Sequence, residues 1–260
     1  MNVYSLAFFR HEASAYESPR CGASQGCFFV NYIRAIVRAH WAVYPDWEMR
    51  IYHDDRVTQS YPYWKVMERM QEAGLFKLIY MGTAQTLCGS MLWRLLPAWD
   101  AAVERFICRD VDSLQTPRER KAIDRWIASG KPVSALHDSQ SHSSASLMGG
   151  MVGFKADWFR ARWPSYEDVI RVATQRNIDL NKHGADQTLL NAEVYPATNG
   201  GGDVSNEDRG SLGERSHVLD QLCAHIGGAY HVEPVVKFFD ENPGMCSKLD
   251  IIRRCESGSA

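Results

Sequence analysis

Asp110 and Asp112 stand two residues apart in Cys108-Arg109-Asp110-Val111-Asp112-Ser113, directly after a short strand-like run, Arg105–Cys108. In a strand, residues two apart face the same side. The carboxyl end of a parallel strand opens onto the crevice where α/β proteins bind ligands. Two carboxylates there suit a hard divalent cation, Mg²⁺ or Mn²⁺, which prefers oxygen ligands. Such a cation bridges diphosphate oxygens and neutralises charge on a departing nucleoside diphosphate. A solvated acidic turn gives the same tripeptide, so the setting carries the weight. A buried strand precedes the pair. A helix start follows it, in which Thr116 can cap, Pro117 suits the first position and Glu119 lies three residues after the cap.

The elements that must position this pair alternate between strand and helix. Val3–Phe9 is a strand-type run, and Phe29, Ile33, Ile36 and Val37 recur at helical spacing up to Tyr44. Met49–His53 and Leu75–Met81 read as strands, with a helix at Trp64, Met67 and Met70 between them. Met91, Leu92, Leu95, Leu96 and Trp99 mark a third helix, and Ile123, Trp126 and Ile127 the buried face of the capped one. Lys131–Leu136 and Leu147–Phe154 are further strands, and helical spacing returns at Asp168–Ala173 and Gln187–Val194. This alternation predicts an α/β domain with a mainly parallel sheet and helices on both faces. One domain is expected over residues 1–255, with a frayed tail at 256–260. Asn199–Ser216, rich in glycine and charge and nearly free of apolar residues, is expected to be a flexible loop, either a lid or a plain surface excursion.

Against this background Arg109–Ser113 resembles the Asp-x-Asp motif of GT-A glycosyltransferases, and Ser90–Pro97 resembles their helix that carries a donor-binding Arg. From Arg109 to Phe154 the chain is similar to a viral and bacterial glycosyltransferase-like group. That group shares an Arg-Asp-x-Asp-Ser segment, a basic-Asp-x-x-x-His segment (here His137-Asp138-Ser-Gln-Ser-His142) and a Leu-Gly-Gly-Met segment (here Leu147-Met-Gly-Gly-Met151). Asp186-Gln187 resembles the late Asp-Gln pair of the retaining galactosyltransferase and glycogenin family. His225-x-x-Gly228-x-x-His231 resembles their His-x-x-Gly-x-x-Lys segment. His231 stands where Lys is expected, and a neutral imidazole is a poorer partner for phosphate. The likeness covers short patches between Val3 and Pro234.

The resemblance implies a single Rossmann-like GT-A domain that moves a sugar from a UDP- or GDP-sugar to a hydroxyl acceptor, such as a glycan. Asp110, Asp112 and His225 would hold Mn²⁺ or Mg²⁺. Phe9, Arg10, Arg94, Val111, Gly149, Gly150, Gly228 and His231 would contact the donor. Asp186, Gln187 and Asp138 would face the reacting sugar, and the Asp-Gln likeness implies retention of configuration. Each residue also has a plainer reading. Arg94 can be a surface side chain whose stem covers apolar neighbours. Asp186 can simply favour a helix N-terminus. Gly149 and Gly150 can form a bulge in a strand, and His225 can be structural. His142 lies in a polar stretch that would expose any residue, and Tyr4 and Phe8 read as core. Three other functions stay open: an inverting transferase of the same fold, with Asp138 or Asp186 as general base; a nucleotidyltransferase making sugar nucleotides; and a non-catalytic glycan-binding relative. The nucleotidyltransferase is disfavoured because the turn Arg10–Arg20 lacks a glycine-rich loop.

Composition narrows the classes further. Hydrophobic residues make up 45% and charged residues 23% of 260, a globular balance. A net charge of -2 gives no global field to recruit nucleic acid. Seven cysteines without a Cys-x-x-Cys pair argue against a disulfide framework or a structural zinc. Met1–Arg10 reads as a first strand and not a signal peptide. No apolar run approaches the ~20 residues of a membrane span. A reducing cytoplasm is therefore the expected compartment.

Overall fold

Asn2–Phe8 forms the first strand, β1, because its side chains can be buried on both faces: Tyr4, Leu6 and Phe8 enter one core and Val3 the other. The structure is a computed structural model and describes residues 1–9, 27–55, 63–140, 145–223, 225–226 and 231–259, with the backbone alone at 27–31 and 87–88. The other strands are β2 (Glu48–His53), β3 (Lys77–Tyr80), β4 (Arg105–Arg109), β5 (Val133–His137), β6 (Met151–Lys155) and β7 (Val204–Asp208). They make one sheet in the order β3-β2-β1-β4-β6-β5-β7. All neighbouring pairs are parallel except those of β6, which runs antiparallel to both β4 and β5. The α/β class and the mainly parallel sheet are as the alternation predicts.

Two helical layers bury the two faces. Helices Cys27–Val43, Trp64–Glu72, Pro117–Ser129, Val232–Glu241 and Leu249–Ser257 cover the core that contains Tyr4, Leu6 and Ile107. The segments Leu92–Trp99, Ala156–Arg160, Tyr166–Gln175 and Ala185–Leu189 cover the other, which contains Val3, Phe106 and Phe154. The chain leaves β1 outward to β2 and β3, then returns to place β4 on the other side of β1, with Leu6 opposite Arg109. Strand order therefore reverses between β1 and β4, and a doubly wound sheet opens its ligand crevice at such a point. Asp110 is the first residue beyond β4, at the mouth of that crevice.

Several sequence expectations need correction. Residues 199–216 are not a free loop, because they contain β7, paired in parallel with β5 from Val133↔Val204 to His137↔Asp208. An edge strand needs little apolar content. Here Val204 supplies the buried contact, and Arg125 pins Glu207 with bonds of 3.0 and 2.6 Å. Beyond it Leu212 is buried beside Ile226, and Arg118 Nε donates to the Gly213 carbonyl at 2.9 Å. The fraying expected from residue 256 is also displaced. The last helix runs to Ser257, and Glu256 accepts from Arg38 at 2.8 and 2.6 Å and from Tyr63 at 2.8 Å. The helix expected over Met91–Trp99 is 3₁₀ from Leu92. Pro97 has no N–H for an α-helical bond, and Arg94 Nε takes the Met91 carbonyl at 3.0 Å.

Cys108, Cys223, Cys246 and Cys255 are free, buried thiols, and burial pushes that of Cys108 up to about 12. Among the described residues no helix is long and apolar enough to cross a membrane.

Candidate active site

β4 ends at Arg109, and the Asp pair sits in a turn closed by Ser113 N–H donating to the Asp110 carbonyl at 3.0 Å. The two carboxylates are therefore neighbours through turn geometry and not through strand alternation, which corrects the sequence argument. Alternation does govern Arg109. Its side chain points away from the crevice, fully buried, and Nε meets Glu119 at 2.8 Å. Arg109 Nη1 also donates to the carbonyls of Cys108 at 2.7 Å and Val152 at 3.2 Å. Thr116 caps the following helix as expected, accepting from Glu119 N–H at 3.2 Å with Pro117 at the first position. The Glu119 carboxylate does not reach back to complete a capping box. It turns inward to Arg109, where Tyr44 also donates to it at 3.2 Å. One buried ion pair thus fastens the end of β4 to the first turn of the helix and fixes the acidic turn between them.

On the crevice side Arg94 is the organising residue. It is 4% exposed, so the surface reading fails, and a guanidinium so buried needs partners. Nη1 donates to Asp110 Oδ1, and Nη2 donates to Asp186 Oδ2 at 2.9 Å. Asp186 lies in the first turn of Ala185–Leu189, entered through Gly184 at φ 79°, so a helix N-terminal place is compatible with its bond to Arg94. Gly149 and Gly150 occupy the turn before β6 and not the strand itself. A Cβ on Gly150 would lie 2.7 Å from Asp110 Cγ. One on Gly149 would lie 3.1 Å from Asp186 Cγ and 3.3 Å from Arg94 Nη2. These two glycines are needed because the backbone passes against both carboxylates.

Asp112 completes the group. Burial first, and then the charge of Asp110, push its carboxyl up to about 6. Among the described residues, Asp110 and Asp186 bond to the Arg94 guanidinium, and the charge of Asp110 acts on Asp112. Asp110 is the accessible member, with its side chain 48% exposed against 8% for Asp186. Among the described residues no group of three metal-ligating side chains forms a cage. Among those residues His225 is not grouped with Asp110 and Asp112. Burial lowers its pKa, and the charges it senses are those of Asp138 and Arg215.

The other candidates sort out by position. Phe9, just past β1, packs edge-on against Trp93 at 5.7 Å. The Val111 side chain is buried in the core, which leaves only its main chain to face a ligand. Gln187 is half-buried beside Asp186, and its carbonyl accepts from Asn191 at 2.7 Å. Asp138 is 4% exposed and already engaged: Arg118 Nη1 and Nη2 grip it, the second at 2.7 Å, and Ile226 N–H donates to it at 2.8 Å. The carboxylate thus accepts three hydrogen bonds and ties Arg118 to the Ile226 backbone. His231 is exposed at the start of Val232–Glu241. Arg10, His142 and Gly228 lie outside the described residues. The positioning residues Arg118 and Glu119 were not anticipated. Both stand in the helix start that the sequence marks clearly, but their partners are remote in sequence or already assigned to the cap.

Comparison with known proteins gives fold-level likeness only. No family model matches the chain, and no curated protein matches it. Among solved structures, a crystal structure of S. aureus TarS 1-349 is 10% identical, covering 72% of this chain and 53% of that one at a TM-score of 0.44. A putative glucose-1-phosphate thymidylyltransferase from Bacillus anthracis, in complex with a sucrose, is 8% identical over 80% of this chain and 87% of that one at 0.47. The mannosyltransferase PcManGT from Pyrobaculum calidifontis, in complex with GDP-Man and Mn²⁺, is 8% identical over 67% and 52% at 0.41. The chain spans about half the length of the first and third of these. Likenesses at this level carry no functional argument, so function must be drawn from the Arg94–Asp110–Asp186 crevice itself.

Proposed function

We propose that the chain is a glycosyltransferase that moves a sugar from a nucleotide-sugar donor to a hydroxyl acceptor. The observation that carries this is the crevice in which Arg94 gathers Asp110 and Asp186 against two main-chain positions that leave no room for a Cβ. The cluster sits where the order of parallel strands reverses and keeps one carboxylate accessible.

That donor set fits a hard divalent cation. Mg²⁺ and Mn²⁺ are commonly held by one or two carboxylates together with substrate phosphates, so no third protein ligand is required. Asp110 and Asp112 are the residues that would hold it; burial first, and then the charge of Asp110, raise the pKa of Asp112. When bound, the cation would screen charge accumulating on the departing diphosphate. Phe9 and the Val111 main chain flank the crevice where the nucleoside would enter. Asp186, fixed by Arg94, would orient the sugar hydroxyls and stabilise positive character at the reacting carbon. Gln187 beside it would lie against that carbon, an assignment that implies retention of configuration. Asp138, held by Arg118 and the Ile226 N–H, would orient the donor sugar from the end of β5.

The test is incubation with Mn²⁺ and a panel of UDP- and GDP-sugars, following thermal shift and nucleoside diphosphate release. The expected result is metal-dependent stabilisation by at least one nucleotide sugar, lost in Asp110→Asn. A chain that binds none of them, with Asp110→Asn indistinguishable from the parent, would sink the proposal. The anomer of the isolated product decides between retention and inversion.

A further inference from the structure

Apart from the acidic crevice, the molecule holds a cavity of about 330 Å³ at the edge of the sheet, walled by His137, Ser146, Tyr195, Gly201 and Asn206. Among the described residues, none lining it carries a carboxylate, an ammonium or a guanidinium. Its polar groups are an imidazole, hydroxyls and an amide, and Tyr195 contributes a half-buried aromatic ring. Two features show that this wall is built. Gly201 has φ 95°, and a Cβ there would lie 2.6 Å from the Tyr195 hydroxyl oxygen, so the chain turns tightly over the ring only as glycine. His137 is held on both sides, with Nε2 3.0 Å from the Ala145 carbonyl oxygen and Nδ1 2.7 Å from Asn206 Oδ1. With Oδ1 turned to the ring, the Asn206 NH₂ is left as a donor at the cavity wall.

The cavity and the crevice share their supports. Ser146 is three residues from Gly149, a reach of at most about 10 Å. Between them Leu147 is clamped by Asn191, whose amide accepts from Leu147 N–H at 3.0 Å and donates to its carbonyl at 2.7 Å. The same helical segment begins with Asp186 and leads into Tyr195. A ligand engaging both places must be longer than one sugar ring, neutral where it meets the cavity, rich in hydroxyls and able to lay a C–H face on an aromatic ring.

We infer that this cavity binds a neutral oligosaccharide, the acceptor, at a ring removed from the reacting hydroxyl. This rests on the glycosyltransferase reading for the word acceptor, while the binding of a neutral glycan stands independently.

The experiment titrates the full chain with maltotriose, cellotriose, mannotriose and chitotriose, and in parallel with UDP and GDP plus Mn²⁺. Amide chemical shifts of Ser146, Tyr195 and Asn206 report on the cavity, and those of Gly149 and Gly150 on the crevice. At least one trisaccharide should shift the first set. Asn206→Ala, at an exposed position, should weaken it about fivefold, and Tyr195→Ala about tenfold. Neither variant should alter nucleotide binding. If no trisaccharide moves the cavity amides, or if binding survives both substitutions unchanged, the inference is overturned. If a trisaccharide binds there and no nucleotide binds the crevice, the cavity assignment stands and the glycosyltransferase reading falls.

Discussion

Replacing Gly150 with alanine tests the crevice at its tightest point. The position has no left-handed backbone requirement, so alanine would ordinarily be tolerated and could even stabilise the chain slightly by restricting the unfolded state. Its Cβ would instead lie 2.7 Å from Asp110 Cγ, where ordinary contact begins at 3.4 Å. The carboxylate carbon must retreat by at least 0.7 Å, the difference between those two distances, and its oxygen by more. Arg94 resists the retreat from the other side. Overpacking of this kind costs on the order of 1–3 kcal/mol, and a misplacement near 1 Å in a reacting centre costs about 10²-fold in rate. Gly150→Ala should therefore retain a folded, modestly destabilised chain while losing about 10²-fold in metal-dependent turnover. Gly130→Ala is the control. It sits at φ 70° with nothing within 4 Å of its Cβ, so it should lose about 1 kcal/mol of stability and leave turnover intact. Denaturant midpoints and initial rates measured on both variants decide the matter. Wild-type turnover in a folded Gly150→Ala chain would refute the claim that Asp110 must stand where it does.

Three further outcomes follow from the same geometry. Glu119→Gln leaves the fully buried Arg109 unpaired and should cost about 3–5 kcal/mol, whereas the double replacement Arg109→Met, Glu119→Leu should recover most of that loss, as read by urea denaturation. His40 is fully buried, and burial lowers its pKa to about 4 against 6.5 when unfolded. The unfolded chain therefore binds this proton first as pH falls. His40's contribution is complete above pH 6.5 and should fade by about 2.5 kcal/mol by about pH 4.5, a component absent from His40→Gln. Arg118→Ala should release Asp138 and the carbonyls of Leu212 and Gly213, seen as faster hydrogen exchange in the segments around Leu212 and Ile226 with β1 unchanged.

Most of the sheet was legible because its central strands are buried on both faces, which leaves continuous apolar runs such as Val3–Phe8 and Phe106–Cys108. The helix start at Thr116–Pro117 was legible because capping chemistry is local. β7 was hidden because an edge strand is held by backbone bonds and a few ion pairs. Hydropathy therefore reads Asp203–Arg209 as loop, although Val204 packs inward and Glu207 meets Arg125. The 3₁₀ form of Leu92–Trp99 was missed because the apolar spacing of three to four residues suits either helix type, and only Pro97 signals the difference.

The site divides along the same line. Residue type and local spacing singled out Arg94, Asp110, Gly149, Gly150 and Asp186 separately, each with a plainer alternative. Only the fold brings them together, across 92 residues in the case of Arg94 and Asp186. The sequence could not say which way Arg109 points, and that orientation carries a consequence. Alternation along β4 sends Arg109 to the core face and Cys108 to the crevice face, so Asp110 emerges beside Arg94 while Arg109 anchors the strand end from beneath through Glu119. Two arginines fifteen residues apart thus hold the acidic turn from opposite sides of the sheet. The buried one acts on structure, and the crevice one acts on charge. For His225, a spacing pattern specifies neighbours along the chain and not which strand end they reach. Its charge environment belongs to Asp138 at the end of β5, two strands away from β4 across β6.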